Sequence, residues 1–211
     1  MLQIEKNNEF YTSPFVSEIL NPSDKTPVNF IYKEIFEYQV YNNIPEMKIK
    51  KDDVVVDVGA HIGIFSRFAS NRGASRIIAF EMDPKHFSCL RMNARPIDDV
   101  FNCVLLDKTF TKFKLQNNSL VIGFTLDYFY KGNLFEKIDF LKIDISGKEK
   151  ILLNSISQNV YDVTDKLSIK MYNLSDDDKQ NLIKQFKQKG FLNSHNITIQ
   201  NQNIQFLYFW K

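Results

Sequence analysis

The sequence predicts a doubly wound α/β fold of the Rossmann-like type, in which helices cover both faces of a mostly parallel sheet. From Asp53 onward, short apolar runs alternate with stretches of helical periodicity, an order that is typical of parallel sheets. The run at 54–56 consists of three valines, as expected for a strand that is buried on both faces. A length of 211 residues fits one domain. We therefore expect a single sheet that begins near residue 52.

Local signals place the individual elements. Gly73 suits the C-terminal end of the first helix, and Asp83 followed by Pro84 suits the start of the second. In the last helix, Leu182 and Phe186 lie on one face among lysines and glutamines, which predicts packing on the core. The expected strands are 54–57, 76–81, 100–106, 111–115, 119–123, 138–145, 167–172, 196–200 and 204–209, and the expected helices are 62–72, 84–94, 148–154 and 176–189.

Residues 1–51 form a distinct N-terminal segment. Prolines 14, 22 and 27 come early, and the aromatic-rich stretch 30–41 is expected to be helical. Such a helix can cap a cofactor cleft or pack on the sheet edge, and the sequence favours neither. We therefore divide the chain into a segment 1–51, which packs on or caps the core, and a domain 52–211.

Composition and charge limit the classes of partner. The net charge is +2 and the pI about 8.4, too balanced to indicate a nucleic-acid groove or a membrane-binding surface. Cys89 and Cys103 have no metal-site or disulfide spacing, and both are expected to be reduced core thiols. No apolar run approaches the roughly 18 residues of a membrane helix. We expect a cytoplasmic protein with no membrane insertion and no nucleic-acid partner. No metal ligand is assigned, and the need for a metal and the oligomeric state stay open.

The most informative segment is 57–63, with the sequence DVGAHIG, between a buried strand and a helix. Gly59 removes a side chain where the backbone turns sharply beside a ligand, and Gly63 lets the helix pack closely on the strand. Asp57 closes the strand next to the free amides of the helix. The segment therefore predicts a nucleotide-like cofactor site, to which we assign Asp57, Gly59, Ala60, His61, Ile62 and Gly63.

The kind of cofactor follows from the departures from a dinucleotide motif. His61 replaces the second glycine of G-x-G-x-x-G, so that a pyrophosphate would meet a side chain. S-adenosylmethionine has no phosphate, and Glu81 at the end of the second strand can accept hydrogen bonds from its ribose hydroxyls. Met82 and Asp107 complete the candidate cofactor residues. For His61 itself we expect a contribution through the backbone amide, and His86 and His195 receive no role.

These residues resemble the FkbM-type family of S-adenosylmethionine-dependent methyltransferases over residues 52–211. The resemblance rests on VDVGAHIGIFS at 56–66, AFEMDP at 79–84, TLD at 125–127 and IDFLKID at 138–144. It implies a seven-stranded sheet with one antiparallel strand, for which 204–209 is the candidate. It also implies S-adenosylmethionine as cofactor and methylation of a hydroxyl on a sugar, glycan or other small molecule.

Two positions depart from that family pattern. The family usually has a glutamate where Ser146 stands, and a glutamate followed by a histidine where the segment around Lys170 stands. Both changes fall where contacts with the acceptor or a metal are expected. A cofactor-binding protein without methyl transfer therefore remains an alternative, as does a methyltransferase that acts on nucleic acid or protein.

Three residues are candidates for catalysis. Asp144, at the end of the fourth core strand, is expected beside the transferred methyl group, where it orients the acceptor, acts as its base or contacts only the cofactor. Asp127 is a weaker candidate that supports the site indirectly. Lys142 is weaker too, because it can simply pair with a carboxylate beneath it.

Overall fold

The computed structural model describes residue 15 and residues 28–115, 118–199 and 203–211. These residues form a seven-stranded main sheet in the order β3-β2-β1-β7-β8-β10-β9 and a three-stranded small sheet in the order β4-β6-β5. The strands are β1 Val54–Val58, β2 Arg76–Glu81, β3 Asp99–Asn102, β4 Val104–Leu105, β5 Thr111–Lys114, β6 Leu120–Phe124, β7 Phe140–Ile143, β8 Lys166–Tyr172, β9 Asn193–Ile199 and β10 Ile204–Trp210.

The main sheet is mostly parallel, as the sequence predicts. The first strand, β1, lies at its centre and pairs in parallel with β2 and β7. The closing strand, β10, runs antiparallel to both of its neighbours, β8 and β9. The Rossmann-like fold class with one antiparallel strand is therefore confirmed, and the strand expected at 204–209 has that role.

Six α-helices connect the strands within the described part of the chain. The second is capped as predicted, since the Asp83 carboxylate accepts hydrogen bonds from the amides of Lys85 and His86. The first begins at Ile64, two residues later than expected, because 61–63 form a turn. The helices are α1 Ile64–Asn71, α2 Pro84–Asn93, α3 Leu126–Lys131, α4 Glu149–Ser155, α5 Gln158–Asp162 and α6 Asp176–Gln188.

The expected strand 100–106 is wrong as a single element. The chain leaves the main sheet at Cys103, and the next two residues, β4, pair in parallel with β6 of the small sheet. A continuous apolar run does not distinguish one strand from two that turn into different sheets. Helices α3 and α5 were not predicted, and Gln200 of the expected strand 196–200 lies outside the described residues.

The core fills both faces of the main sheet. Val56 and Val58 pack on one side and Val55 on the other, so that the valine run of β1 is buried on both faces, as predicted. Leu182 and Phe186 of α6 are buried in the same cluster as Val56 and Val58. This agrees with the apolar face that the sequence predicts for the last helix. This double burial holds the carboxyl ends of β1, β2 and β7 in a fixed arrangement.

The described N-terminal residues pack on the core. Residues 28–37 are helical, with a π-helical turn at Lys33–Glu37, and Pro45–Met47 forms a 3-10 turn. Ile35 and Met47 are buried against the layer that contains α1. The three prolines at 14, 22 and 27 lie outside the described residues. No helix in the described part is long and apolar enough to cross a membrane.

Candidate functional site

A cavity of about 380 Å³ opens at the carboxyl ends of the parallel strands. This is where open α/β sheets bind their ligands, and its size is near the lower end of the range for ligand pockets. Its walls come from the ends of β1, β2 and β7, from β4, and from the helical segment 28–37. The lining includes Phe30, Ile31, Val58, Gly59, His61, Phe80, Glu81, Met82, His86, Cys103, Val104, Leu105, Asp144, Ile145, Ser146, Lys148, Lys170, Tyr172 and Ile204.

The loop from β1 to α1 is held from below by a buried ion pair. Lys142 Nζ lies 2.8 Å from Asp57 Oδ1 and donates to the Gly59 carbonyl at 2.9 Å. The other Asp57 oxygen accepts from the Ser66 hydroxyl at 2.7 Å. Asp57 is fully buried and does not line the cavity. It supports the loop from below, and its direct contact with a cofactor stays a prediction.

Glycine is required in this loop for reasons that the sequence did not show. A Cβ on Gly59 would lie 1.9 Å from the carbonyl oxygen of Asp144, at a φ of +78°. Gly63, at φ +89°, packs on Leu90 of α2 and not on the strand. The close approach at Gly59 is therefore to the chain that follows β7, and it joins the loop to the residue expected beside the transferred methyl group.

Glu81 lies at the end of β2 and lines the cavity, as predicted. Its two oxygens accept backbone hydrogen bonds, one from the amide of His61 and one from that of Asp83, both at 2.8 Å. Burial raises the pKa of its carboxyl, although these two amides act to lower it. The amides fix the carboxylate in one orientation beside the cavity. The His61 amide, which we expected to contribute to the cofactor site, donates to Glu81 in the structure.

His61 and His86, of which the sequence left His86 without a role, meet at this end of the cavity. The rings of His61 and His86 are 4.0 Å apart between centroids, and His86 Nδ1 lies 3.9 Å from Glu81. The predicted helix cap at Asp83 was the sequence signal that could have placed His86 at the cavity, because the cap puts His86 in the first turn of α2. Burial, followed by the charges of His86 and Lys142, lowers the pKa of His61 to about 3.

This shift predicts an acid sensitivity that originates at one side chain. The folded protein keeps His61 neutral while the unfolded chain takes up a proton below pH 6.5, so stability falls as the pH falls from 6.5 towards 3. At pH 5 this uptake of a proton by the unfolded chain lowers the free energy of unfolding by about 2 kcal/mol. We expect urea unfolding of His61→Asn to show a smaller loss between pH 7 and pH 5 than wild type. The exposed His195→Asn variant should keep the wild-type loss, and equal losses in all three proteins would contradict the assignment.

Cys103 also lines the cavity but is not suited to act as a nucleophile. Burial, followed by the charge of Glu81, raises the pKa of its thiol to about 12. The thiolate is the reactive form of cysteine. Cys103 therefore contributes an apolar wall, and Cys89 is buried too, as expected for both cysteines.

The opposite end of the cavity contains Asp144 and a buried cation. Lys170 Nζ lies 2.7 Å from Glu34 Oε2 and 3.7 Å from Asp144 Oδ2, and the Tyr41 hydroxyl donates to Asp144 at 3.4 Å. Burial acts to lower the pKa of Lys170, but Asp144 and Glu34 outweigh it, and the pKa is raised. Lys170 is therefore a permanent cation between two carboxylates, one of which comes from the N-terminal segment.

Several candidate residues lie outside the cavity. Ala60, Ile62 and Gly63 belong to the loop but do not line the cavity, and Asp107 is exposed. Their contact with a cofactor stays a prediction, and the structure shows that they shape or neighbour the site.

The two weaker catalytic candidates are also elsewhere. Asp127 accepts a hydrogen bond from the Ser157 amide at 3.0 Å, just before α5, and Lys142 is occupied by Asp57. Lys142 thus pairs with a carboxylate, the alternative that the sequence left open, and a catalytic part for either residue stays a prediction. Within the described residues, no group of three or more His, Cys, Asp or Glu side chains is placed to hold a metal ion.

Comparison with known proteins adds sequence relatives to this geometry. No protein-family model matches the chain. Methyltransferase 1 of Beauveria bassiana (strain ARSEF 2860) is 38% identical over 74 residues, which are 35% of this chain and 28% of that protein. The 31-O-demethyl-FK506 methyltransferase FkbM of Streptomyces tacrolimicus is 37% identical over 83 residues, which are 37% of this chain and 32% of that protein. Over these segments the chain is similar to FkbM-type methyltransferases. The matches span less than a third of each curated relative.

Solved structures of methyltransferases share the fold of this chain. Methyltransferase FkbM from Methylobacillus flagellatus KT has a TM-score of 0.58 at 16% identity, over 85% of this chain and 48% of that one. Aeropyrum pernix fibrillarin, solved with natively bound S-adenosyl-L-methionine, has a TM-score of 0.56 at 14% identity, over 84% and 75% of the two chains. At such identities the likeness concerns the fold.

The departures from the FkbM-type pattern both line the cavity. Ser146, where the family usually has a glutamate, follows Asp144 by two residues, and Lys170 stands where a later strand usually has a glutamate. Glu34 supplies a carboxylate that pairs with Lys170 from the N-terminal segment. The charge at this end of the site is therefore arranged differently, with a lysine on the sheet and a glutamate on the helix.

Proposed function

We propose that the protein is an S-adenosylmethionine-dependent methyltransferase that methylates a hydroxyl of a small molecule, a sugar or a glycan. The observation that carries the proposal is a single cavity with the fixed carboxylate of Glu81 at one end and Asp144 at the other. Gly59, His61 and Met82 line it between them and are assigned to cofactor binding.

The hydrogen bonds of the loop favour this cofactor over a dinucleotide. A pyrophosphate is bound by free backbone amides at the start of the helix. Here the amides of Gly59 and Ala60 donate to the Phe80 carbonyl, that of Gly63 to Ala60, and that of His61 to Glu81. The loop offers no cluster of free amides to a phosphate, whereas the Glu81 carboxylate keeps lone pairs for the two hydroxyls of a ribose.

The chain's own residues have two tasks in the transfer. When bound, S-adenosylmethionine supplies a methyl group activated by its sulfonium. Alignment of the acceptor in a dry cavity is worth roughly 7 to 11 kcal/mol, and a general base roughly 10² to 10⁴ in rate. In this proposal Asp144 takes the proton of the acceptor hydroxyl, and the contacts of its Oδ2 with Tyr41 and Lys170 support that orientation.

A hydroxyl acceptor is favoured by the relative from Streptomyces tacrolimicus, which is named for methylating 31-O-demethyl-FK506. The cavity wall supports an acceptor with an apolar body, because Phe30, Ile31 and Ile204 line it together with Tyr172. The alternative of a cofactor-binding protein without turnover is favoured by one contact, since Lys170 lies 3.7 Å from the proposed base.

A thermal shift measurement tests the cofactor assignment. S-adenosylhomocysteine at 100 times its dissociation constant adds about 2.7 kcal/mol, which should raise the melting temperature by roughly 5 to 10 °C. We expect Glu81→Ala to lose this shift and Asp144→Asn to retain it while losing methyl transfer. The exposed Glu46→Ala variant is the control and should respond as wild type does. A shift with NAD and none with S-adenosylhomocysteine would contradict the proposal.

A further inference from the structure

The hairpin formed by β5 and β6 presents an unusual surface to solvent. We define its outer face by Phe110, Lys112, Lys114, Leu120, Ile122 and Tyr128. In the antiparallel pair, Lys112 is directly opposite Ile122 and Lys114 is opposite Leu120. Directly opposed residues, and residues two apart on one strand, point to the same side of a sheet. Two lysines and two aliphatic residues therefore share one side of the hairpin.

The apolar part of the outer face is not used by the core. Leu120 is 67% exposed, Phe110 68%, Ile122 50% and Tyr128 43%. The other side of the hairpin packs inward, where Val121 and Leu115 are buried with Val104 and Leu106. The inner side of the hairpin thus supplies the buried cluster of the small sheet. Exposed apolar patches of this kind mark interaction sites in soluble proteins.

The charge around the outer face is positive. Residues 107–131 contain four lysines, at 108, 112, 114 and 131, and two aspartates, at 107 and 127, an excess of two positive charges (4 minus 2). The whole chain has a net charge of only +2. Lys112 and Lys114 are exposed and lie directly opposite the two aliphatic residues of the outer face.

The side-chain chemistry distinguishes the kinds of anionic partner. Single-stranded nucleic acid is bound by aromatic faces on which bases stack, whereas the residues directly opposite Lys112 and Lys114 on this face are the aliphatic Ile122 and Leu120. Aliphatic side chains interleaved with lysines match a lipid surface, where the former enter the acyl boundary and the latter meet anionic headgroups. We propose that the hairpin outer face docks on an anionic lipid surface.

Docking there would bring the cavity close to the bilayer. Val104 and Leu105 form β4 of the same small sheet and line the cavity, and the ammonium of Lys148 at the cavity lies 4.7 Å from the centroid of the Phe113 ring of β5. A membrane-bound protein would therefore meet acceptors that are themselves at the lipid surface. The docking itself does not depend on methyl transfer.

Co-sedimentation with vesicles tests the inference on the whole chain. We expect binding to vesicles of equal parts phosphatidylcholine and phosphatidylserine, little binding to phosphatidylcholine alone, and weaker binding at high salt because screening shortens the range of charge interactions. A lysine near an anionic surface contributes about fivefold to affinity, so Lys112→Gln with Lys114→Gln should weaken binding about 25-fold. Leu120→Asp with Ile122→Asp should abolish it.

The controls change equally exposed residues elsewhere. Leu192 is 69% exposed and Lys187 is exposed on α6, so Leu192→Asp and Lys187→Gln should bind as wild type does, with unchanged melting temperatures throughout. The proposal is overturned if the protein sediments with neither vesicle, or if the hairpin variants bind like the controls. It is also overturned if the same variants instead abolish dimerisation in analytical ultracentrifugation or binding to a single-stranded RNA.

Discussion

Replacement of Lys142 by methionine is expected to lower the free energy of unfolding by about 3 to 5 kcal/mol. Lys142 is 3% exposed and its partner Asp57 is fully buried, with 2.8 Å between Nζ and Oδ1. The variant leaves a buried carboxylate whose remaining side-chain partner is Ser66. A charge without a counterion in such a place is strongly destabilising. Urea unfolding at neutral pH measures the change.

A second substitution separates the unpaired charge from lost packing. Asp57→Asn combined with Lys142→Met removes both charges, so the double variant should be more stable than Lys142→Met alone. Lys137→Met is the surface control, because Lys137 pairs with Asp139 and Asp165 but its side chain is 56% exposed. Such pairs contribute about 0 to 1 kcal/mol. Equal losses in Lys142→Met and Lys137→Met would refute the importance of the buried pair.

Gly59→Ala is expected to be as damaging, although it adds a single methyl group. The new Cβ would lie 1.9 Å from the Asp144 carbonyl oxygen and 3.1 Å from Ile145, so either the loop or the chain after β7 must move. We expect a loss of about 3 to 5 kcal/mol in the free energy of unfolding, together with loss of the thermal response to S-adenosylhomocysteine.

Gly190→Ala is the matched control for backbone strain. Gly190 has a φ of +94°, similar to the +78° of Gly59, but a Cβ there would have no neighbour within 4 Å. It should therefore show only the cost of a left-handed backbone, about 1 to 2 kcal/mol. If the two alanine variants unfold at the same urea concentration, the close approach to Asp144 has no energetic weight.

The sequence located the loop and Glu81 but not their contacts. The order of strand, glycine-containing turn, helix and acid-ending strand is a local property, and parallel strands place their carboxyl ends at one edge. The sequence predicted that Gly59 lies against a ligand, but the structure brings it against Asp144, 85 positions later in the chain. The contacts of Asp57 with Lys142 span the same separation.

The end of the cavity that contains Asp144 and Lys170 shows more clearly which contacts the sequence could not predict. In the sequence, Lys170 was only a departure from the family pattern, and Glu34 belonged to a segment of open role. The two side chains meet at 2.7 Å although 136 positions separate them. The same holds for His61 and His86, which the sequence did not bring together but whose ring centroids lie 4.0 Å apart at the cavity.

The sequence by itself determined the fold class, the position of the cofactor loop and the acid at the end of the second strand, because each depends on a pattern within a few neighbouring residues. Only the tertiary structure decided which charges lie together and which are buried. It paired Lys142 with Asp57, placed Lys170 between Glu34 and Asp144, and gathered the lysines of the hairpin on one face. Electrostatic contacts depend on distances between atoms of remote segments, which the packing of helices on the sheet sets.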